Sequence, residues 1–193
     1  MVFQFDDLKK KTILLFISAP LVGAGIGFAF MFFAIKNQPT LGETPWRTYL
    51  NIGASDESLL QKAIRTRVGI YALPKEEVIY FMASTDSDGE LLTSDQRYEV
   101  SGIAPATKIW SITLYDKDFF LSDNALNRYH FNATSLNVEQ GKPFSFVVSS
   151  TPEVGNWLPA PQKGNFALCY RFYLPPASAF PINESSLPKI KKL

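Results

Sequence analysis

From Thr12 to Ile35 the chain runs TILLFISAPLVGAGIGFAFMFFAI, 24 residues without a charge. At about 1.5 Å per residue such a helix is about 36 Å long, against a hydrocarbon core of about 30 Å. It can span a bilayer with some tilt. A helix buried in a soluble core would be shorter and would show a polar stripe. A cleaved export signal has an apolar run of about 7–15 residues and a small-x-small end. This run instead closes on the bulky Met31-Phe32-Phe33-Ala34-Ile35. The expectation is an uncleaved, single-pass transmembrane helix over residues 12–35. Lys9, Lys10 and Lys11 precede it and only Lys36 follows directly. The positive-inside rule therefore puts residues 1–11 in the cytoplasm and the rest across the membrane. Pro20 marks a site for a kink. Gly23 and Gly27 form a GxxxG spacing that can bring two such helices together.

Charge narrows what the remainder can bind. Beyond residue 36 there are 15 Lys/Arg against 16 Asp/Glu. That near-neutral balance has no electrostatic footprint for nucleic acid. Lys189, Lys191 and Lys192 form the only basic cluster there and read as a solvated C-terminal tail. A lone cysteine, Cys169, rules out an intramolecular disulfide and cysteine-based zinc sites. A lone histidine, His130, rules out a multi-histidine metal site. Gly23-x-Gly25-x-Gly27 lies inside the apolar run, so it is not a phosphate loop. No cofactor is expected.

Residues 36–44, with Pro39 and Gly42, read as a linker, and 45–193 as one exported domain. Trp46 and Tyr49 either touch the bilayer surface or pack onto that domain. Ser55-Asp56-Glu57 looks like a helix start. Leu59, Leu60, Ala63, Ile64 and Val68 then recur at helical spacing, giving one amphipathic helix over about 55–68. Past Pro74 the period becomes two. Strands are expected at 78–83, 97–100, 108–115, 128–131, 144–149 and 166–173. On the third, Trp110, Ile112 and Leu114 alternate with Ser111 and Thr113. Such strands, punctuated by Gly, Pro, Asn and Asp, read as an antiparallel sandwich or a partly open barrel.

Few residues offer chemistry. Asp86-Ser87-Asp88-Gly89 has a calcium-loop flavour but lacks a third ligand before the glycine. A hairpin turn joining the strands around Tyr80 and Tyr98 explains it better. Cys169 alternates with Leu168 and Tyr170 and reads as a half-buried apolar residue. His130 has no G-x-S-x-G elbow to serve. Asp95, Glu99, Asp116, Asp118 and Asp123 are scattered; two facing carboxylates among Asp95, Glu99 and Asp116 would suit a hydrolase or lyase. Aromatic and planar polar residues gather near strand ends: Trp110, Arg128, Asn156, Trp157 and Arg171. They suit sugar or peptide recognition. Their other role is a packed core, with Arg and Asn serving turn carbonyls.

Several blocks resemble one family. Ile109 to Asp116 (IWSITLYD), Asn127-Arg128-Tyr129, Gly155 to Pro161 (GNWLPAP) and Leu168 to Tyr173 (LCYRFY) follow one another as in the bacterial domain of unknown function 1214. Asp86 to Leu92, Tyr98 and the closing Leu187-Pro188-Lys189-Ile190 are similar too. The resemblance covers residues 45–190, and it is nearest to short, membrane-anchored members from Gram-negative bacteria. It implies a β-sandwich of jelly-roll kind, preceded by the transmembrane helix, and a place in the inner membrane. It also implies a companion protein carrying the domain of unknown function 1254. It implies no activity. Cysteines that some relatives carry near Gln96 and at the C-terminus are absent here, so no disulfide is implied. Trp110, Asp116, Arg128, Asn156, Trp157 and Arg171 are carried over only as signature positions. The leading expectation is an envelope binding module for a protein or glycan, with Trp110, Arg128, Asn156, Trp157 and Arg171 as candidate ligand contacts. The alternatives are the carboxylate hydrolase or lyase, and a structural subunit pairing through Gly23 and Gly27.

Overall fold

The computed structural model describes residues 3–36, 41–48, 57–68, 73–107, 109–177 and 182–193. The chain divides into two compact units, Met1–Gln38 and Pro39–Leu193. The first is helix α1 (Phe3–Lys36), which runs unbroken through Pro20. Its stretch Lys9–Ala34 is 26 residues, long and apolar enough to cross a membrane. Large apolar side chains such as Leu15, Phe16, Leu21, Phe28 and Phe33 point outward all round the helix and are exposed. A helix apolar on every side suits lipid rather than water.

The second unit is two β-sheets. One has the order β1 (Arg47–Thr48), β2 (Val78–Ala83), β8 (Phe166–Tyr173), β4 (Ile109–Asp116), β5 (His130–Asn132). The other has the order β7 (Trp157–Pro159), β6 (Pro143–Ser149), β3 (Tyr98–Ile103), β9 (Lys189–Lys192). Every pairing is antiparallel except β6 with β7. Alternation dictates the layers. Ile79 and Phe81, Trp110 and Ile112, and Leu168 and Tyr170 share the inner face of the five-stranded sheet. Tyr98 and Val100, Phe144 and Phe146, Leu158 and Ile190 belong to the same buried core from the other sheet. Trp46 joins them, fully buried, and its indole Nε1–H donates to the Pro188 carbonyl at 2.7 Å. Of the two aromatics after the linker, Trp46 therefore packs into the domain, while Tyr49 falls outside the described residues.

Three local expectations change. Residues 189–192 are not a solvated tail. They form β9 beside β3, with Ile190 fully buried and Lys189, Lys191 and Lys192 exposed. The approach is close enough that a Cβ on Gly102 would stand 3.1 Å from the Pro188 Cα. The Asp86–Gly89 segment does not join β2 and β3 as a hairpin, because those strands belong to different sheets. It closes a local bridge between Thr85 and Leu91. There the buried Asp86 carboxylate accepts the N–H of Asp88 at 3.0 Å and of Glu90 at 2.9 Å, and Gly89 takes φ +88°. That is a turn built by an Asx bond, not a calcium loop. Helix α2 (Leu59–Val68) starts later than Ser55, which, with Asp56, lies outside the described residues. Its cap is Ser58, whose hydroxyl accepts the Gln61 N–H while the Gln61 amide oxygen accepts the Ser58 N–H. A one-turn helix α3 (Ala133–Leu136), capped reciprocally by Asn132 and Ser135, follows β5.

Candidate functional site

The five candidate ligand contacts occupy three places. Trp110 points inward from β4 and is 2% exposed. It meets Tyr170 edge-on at 5.7 Å and Phe144 at 4.8 Å. No face of it is left for a ligand.

Arg128, Asn156 and Trp157 come together where the start of β5 approaches β7. The Arg128 Nη1–H donates to the Trp157 carbonyl at 2.8 Å, and its guanidinium lies over the Phe131 ring at 5.4 Å. The Trp157 indole N–H donates to the Ser149 carbonyl at 2.9 Å. Asn156 Nδ2 reaches the Ser145 carbonyl at 3.5 Å. The Asn124 side chain holds the entrance to β5, accepting the Arg128 N–H and donating to the Arg128 carbonyl. These polar groups largely serve backbone carbonyls and tie the two sheets together.

Arg171 lies elsewhere. On β8 its neighbours Tyr170 and Phe172 point into the core, so period-two alternation turns Arg171 to the outer face. There its Cα partners are Tyr80 on β2 and Ser111 on β4. Its guanidinium donates to Thr113 Oγ1 at 3.0 Å and to the Tyr115 hydroxyl at 2.8 Å. It lies 5.5 Å from the Tyr115 ring centre and 5.9 Å from that of Tyr80. The Tyr80 hydroxyl in turn accepts the Leu73 N–H at 3.2 Å. Burial holds the Tyr80 phenol above its ordinary pKa, against the pull of that hydrogen bond and of the Arg171 charge. Tyr80 and Thr113 were not among the sequence candidates. Their closeness to Arg171 depends on strand order, which residue spacing does not reveal.

Cys169 lies in the same outer layer, fully buried against Val78 and Tyr80. Burial pushes its thiol up to about 11, even with Arg171 nearby. At neutral pH it is a protonated, shielded sulfur with no nucleophilic character. His130 is exposed on β5, opposite Thr113.

The carboxylates do not assemble. Glu99 sits on β3, where the buried Tyr98 and Val100 flank it and alternation turns it outward from the four-stranded sheet. Asp116 ends β4 in the other sheet, its Oδ1 accepting the N–H groups of Asp118 and Phe120, each at 2.9 Å. Asp95 is exposed in the turn before β3, held below the usual carboxylate range first by the Thr93 hydroxyl. Among the described residues no group of three His, Cys, Asp or Glu could hold a metal. An open cleft of about 760 Å³ is lined by Glu43, Asp88, Glu184, Lys189 and Lys191 around Pro188. Its charges are of both signs.

No curated protein matches the chain. A solved structure, the VPA0106 protein of Vibrio parahaemolyticus, matches with 27% identity and a TM-score of 0.58, over 69% of this chain and 35% of its own. This chain thus spans about a third of that protein's length. An uncharacterised protein of Burkholderia cenocepacia matches at 16% identity and a TM-score of 0.45, over 91% of this chain and 52% of its own. A family described as a protein of unknown function, DUF1214, matches residues 77–177, which is β2 through the end of β8. The chain belongs to the DUF1214 family.

Proposed function

We propose that this chain is a membrane-anchored binding module of a bacterial envelope. Residues 1–11 stay in the cytoplasm, α1 crosses the inner membrane, and the sandwich stands in the periplasm to meet a protein or glycan. The observation that carries the reading is the outer face of the five-stranded sheet. It carries Arg171 and Tyr115, both partly exposed, with the buried Tyr80 ring beside them, a composition suited to recognition. The apolar Lys9–Ala34 stretch, with lysines at its leading end, supports the anchoring and its direction. A protein carrying the companion domain 1254 is the first partner to try.

Two experiments test the reading. Alkaline phosphatase fused after Leu193 is expected to be active, and a fluorescent protein fused before Met1 to fluoresce; the reverse pattern overturns the topology. The full chain in neutral detergent is then offered to envelope glycans and to the companion protein. Retention of one of them supports the module, and retention of none overturns it.

A further inference from the structure

Past Asp116 the chain turns through Lys117 and Asp118 into Phe119-Phe120-Leu121. These are three large apolar side chains in a row, and all three are exposed, Phe120 by 70%. Elsewhere among the described residues of Pro39–Leu193, exposed large apolar side chains come singly along the chain or, at Leu59-Leu60, as a pair. Single ones are ordinary on a folded surface; a run of three is not. Hydrogen bonds fix this run in place. The Asp116 N–H donates to the Phe120 carbonyl at 2.9 Å, and the Phe119 N–H donates to the Asp116 carbonyl at 3.0 Å. The Asp116 carboxylate closes the turn further through the N–H groups of Asp118 and Phe120. Phe119 is thereby held at φ +64°, a left-handed conformation uncommon for a bulky residue. Lys117 pairs with Asp118, so the tip from Lys117 to Leu121 has no net charge.

Topology sets where this tip stands in the sandwich. β1 is antiparallel to β2, with Arg47 opposite Met82 near the end of β2. β2 is antiparallel to β8 and β8 to β4, so β2 and β4 run the same way. The start of β1 and the end of β4 therefore lie at one end of the five-stranded sheet. Residues 41–46 lead into β1 at that end, folded back on themselves by the Leu41 N–H, which donates to the Trp46 carbonyl at 2.9 Å. Lys36, the last residue of α1, comes only five residues before Leu41, and five residues of chain reach at most about 18 Å. The exposed turn thus shares its end of the sheet with the point where the tether from α1 enters. We infer that Phe119, Phe120 and Leu121 seat in the surface of the lipid bilayer that holds α1. A specific protein partner buries about 1,000 Å² or more, and three side chains of one turn fall well short of that. A lipid surface asks only for apolar side chains at an exposed point, as membrane-surface segments with Phe and Leu provide. The tether keeps the local concentration of lipid high, so a contact too weak to recruit a free protein suffices. The neutral tip makes the contact indifferent to lipid charge. The inference rests on the reading that α1 is held in a membrane, and on no property of the face around Arg171.

The test uses the full chain in phosphatidylcholine vesicles, with Phe120→Trp as reporter. The wild type supplies the background of Trp46, Trp110 and Trp157. Acyl chains brominated near the headgroup quench an indole that sits among them. Membrane-surface segments lie about 5–10 Å into the boundary between headgroups and acyl chains, so the emission added by Phe120→Trp is expected to fall by about half in brominated vesicles. Leu121→Trp reports the same turn independently and is expected to behave alike. Emission added by Ile109→Trp, exposed at the other end of β4 about 23 Å away, is expected to stay unchanged. All three substituted positions are exposed, and melts matching the wild type show which variants fold. Emission in the turn that bromine leaves untouched overturns the inference; if acrylamide fails to quench it as well, protein rather than lipid covers the turn. Equal quenching of Phe120→Trp and Ile109→Trp overturns it too, because lipid contact would then not belong to the turn. A chain that fails to float with the vesicles sinks the anchor reading and the inference with it. A chain that floats with its turn unquenched sinks the inference alone.

Discussion

At the scale of single residues, Tyr170 is the most exposed to test. Its ring is packed between Trp46, Phe81, Trp110 and Phe172. Among the described residues its buried hydroxyl has no hydrogen-bond partner, and burial pushes its pKa far above the ordinary value. An orphaned buried hydroxyl costs roughly 1–3 kcal/mol. Tyr170→Phe keeps the ring contacts and removes the orphan, so thermal melts in neutral detergent are expected to show a gain of about 1 kcal/mol or more. A clear loss would mean that the hydroxyl has a partner after all. Cys169 gives a second test. Maleimide at pH 7.5 is expected to leave the folded chain unlabelled and to react after denaturation. Its pKa rises from 9.0 to about 11 on folding. The contribution of the protonated thiol is therefore full below pH 9 and fades as pH climbs toward 11, on the order of 2–3 kcal/mol in all. Comparison of melts at pH 7 and pH 10 for the wild type and Cys169→Ala isolates that part from the tyrosines. An identical pH slope in both would refute it. The apolar neighbourhood of Cys169 was legible from its alternation with Leu168 and Tyr170. Its complete burial was not, since the cover comes from a neighbouring strand.

At the scale of elements, β9 separates what pattern can and cannot reveal. Lys-Ile-Lys-Lys has one apolar residue among three charges, too short an alternation to distinguish from a tail. Only the exposed edge of β3 makes it a strand, by supplying main-chain partners and a pocket for Ile190. Ile190→Ala is accordingly expected to cost about 2–5 kcal/mol. Lys191→Ala, on the solvent side, should stay within about 0.5 kcal/mol. Thermal or denaturant unfolding of the two variants decides the matter, since a tail would leave both silent. The long strands were easier. β2, β4, β6 and β8 each carry enough alternating residues to announce a buried face. β1, β7 and β9 are too short to do so, and the parallel pairing of β7 has no local signature. The supposed hairpin failed for a related reason, because a turn signal shows that the chain reverses and not which sheet receives it.

At the scale of the whole molecule, the two units differ in where their apolar side chains lie. α1 presents apolar side chains on all sides, while Pro39–Leu193 buries its own core. The full chain is expected to resist alkaline carbonate extraction from membranes, and a chain truncated before residue 39 to appear in the soluble fraction. Release of the full chain by carbonate would remove the anchor. Crosslinking of the full chain in membranes, before and after Gly27→Leu, tests pairing through the GxxxG face; loss of a crosslinked dimer only in the variant would show it. The long apolar helix, the mainly β class and the family were all determined by the sequence alone. Length without charge, period-two alternation and ordered motif blocks are local properties of a chain. The grouping of the candidate residues was decided by tertiary structure. Strand order and register sent Trp110 into the core, bound Arg128, Asn156 and Trp157 to backbone carbonyls, and left Arg171 on the outer face among Tyr80, Thr113 and Tyr115. Those contacts join residues up to 91 positions apart, and no spacing along a chain encodes which strand will lie beside which.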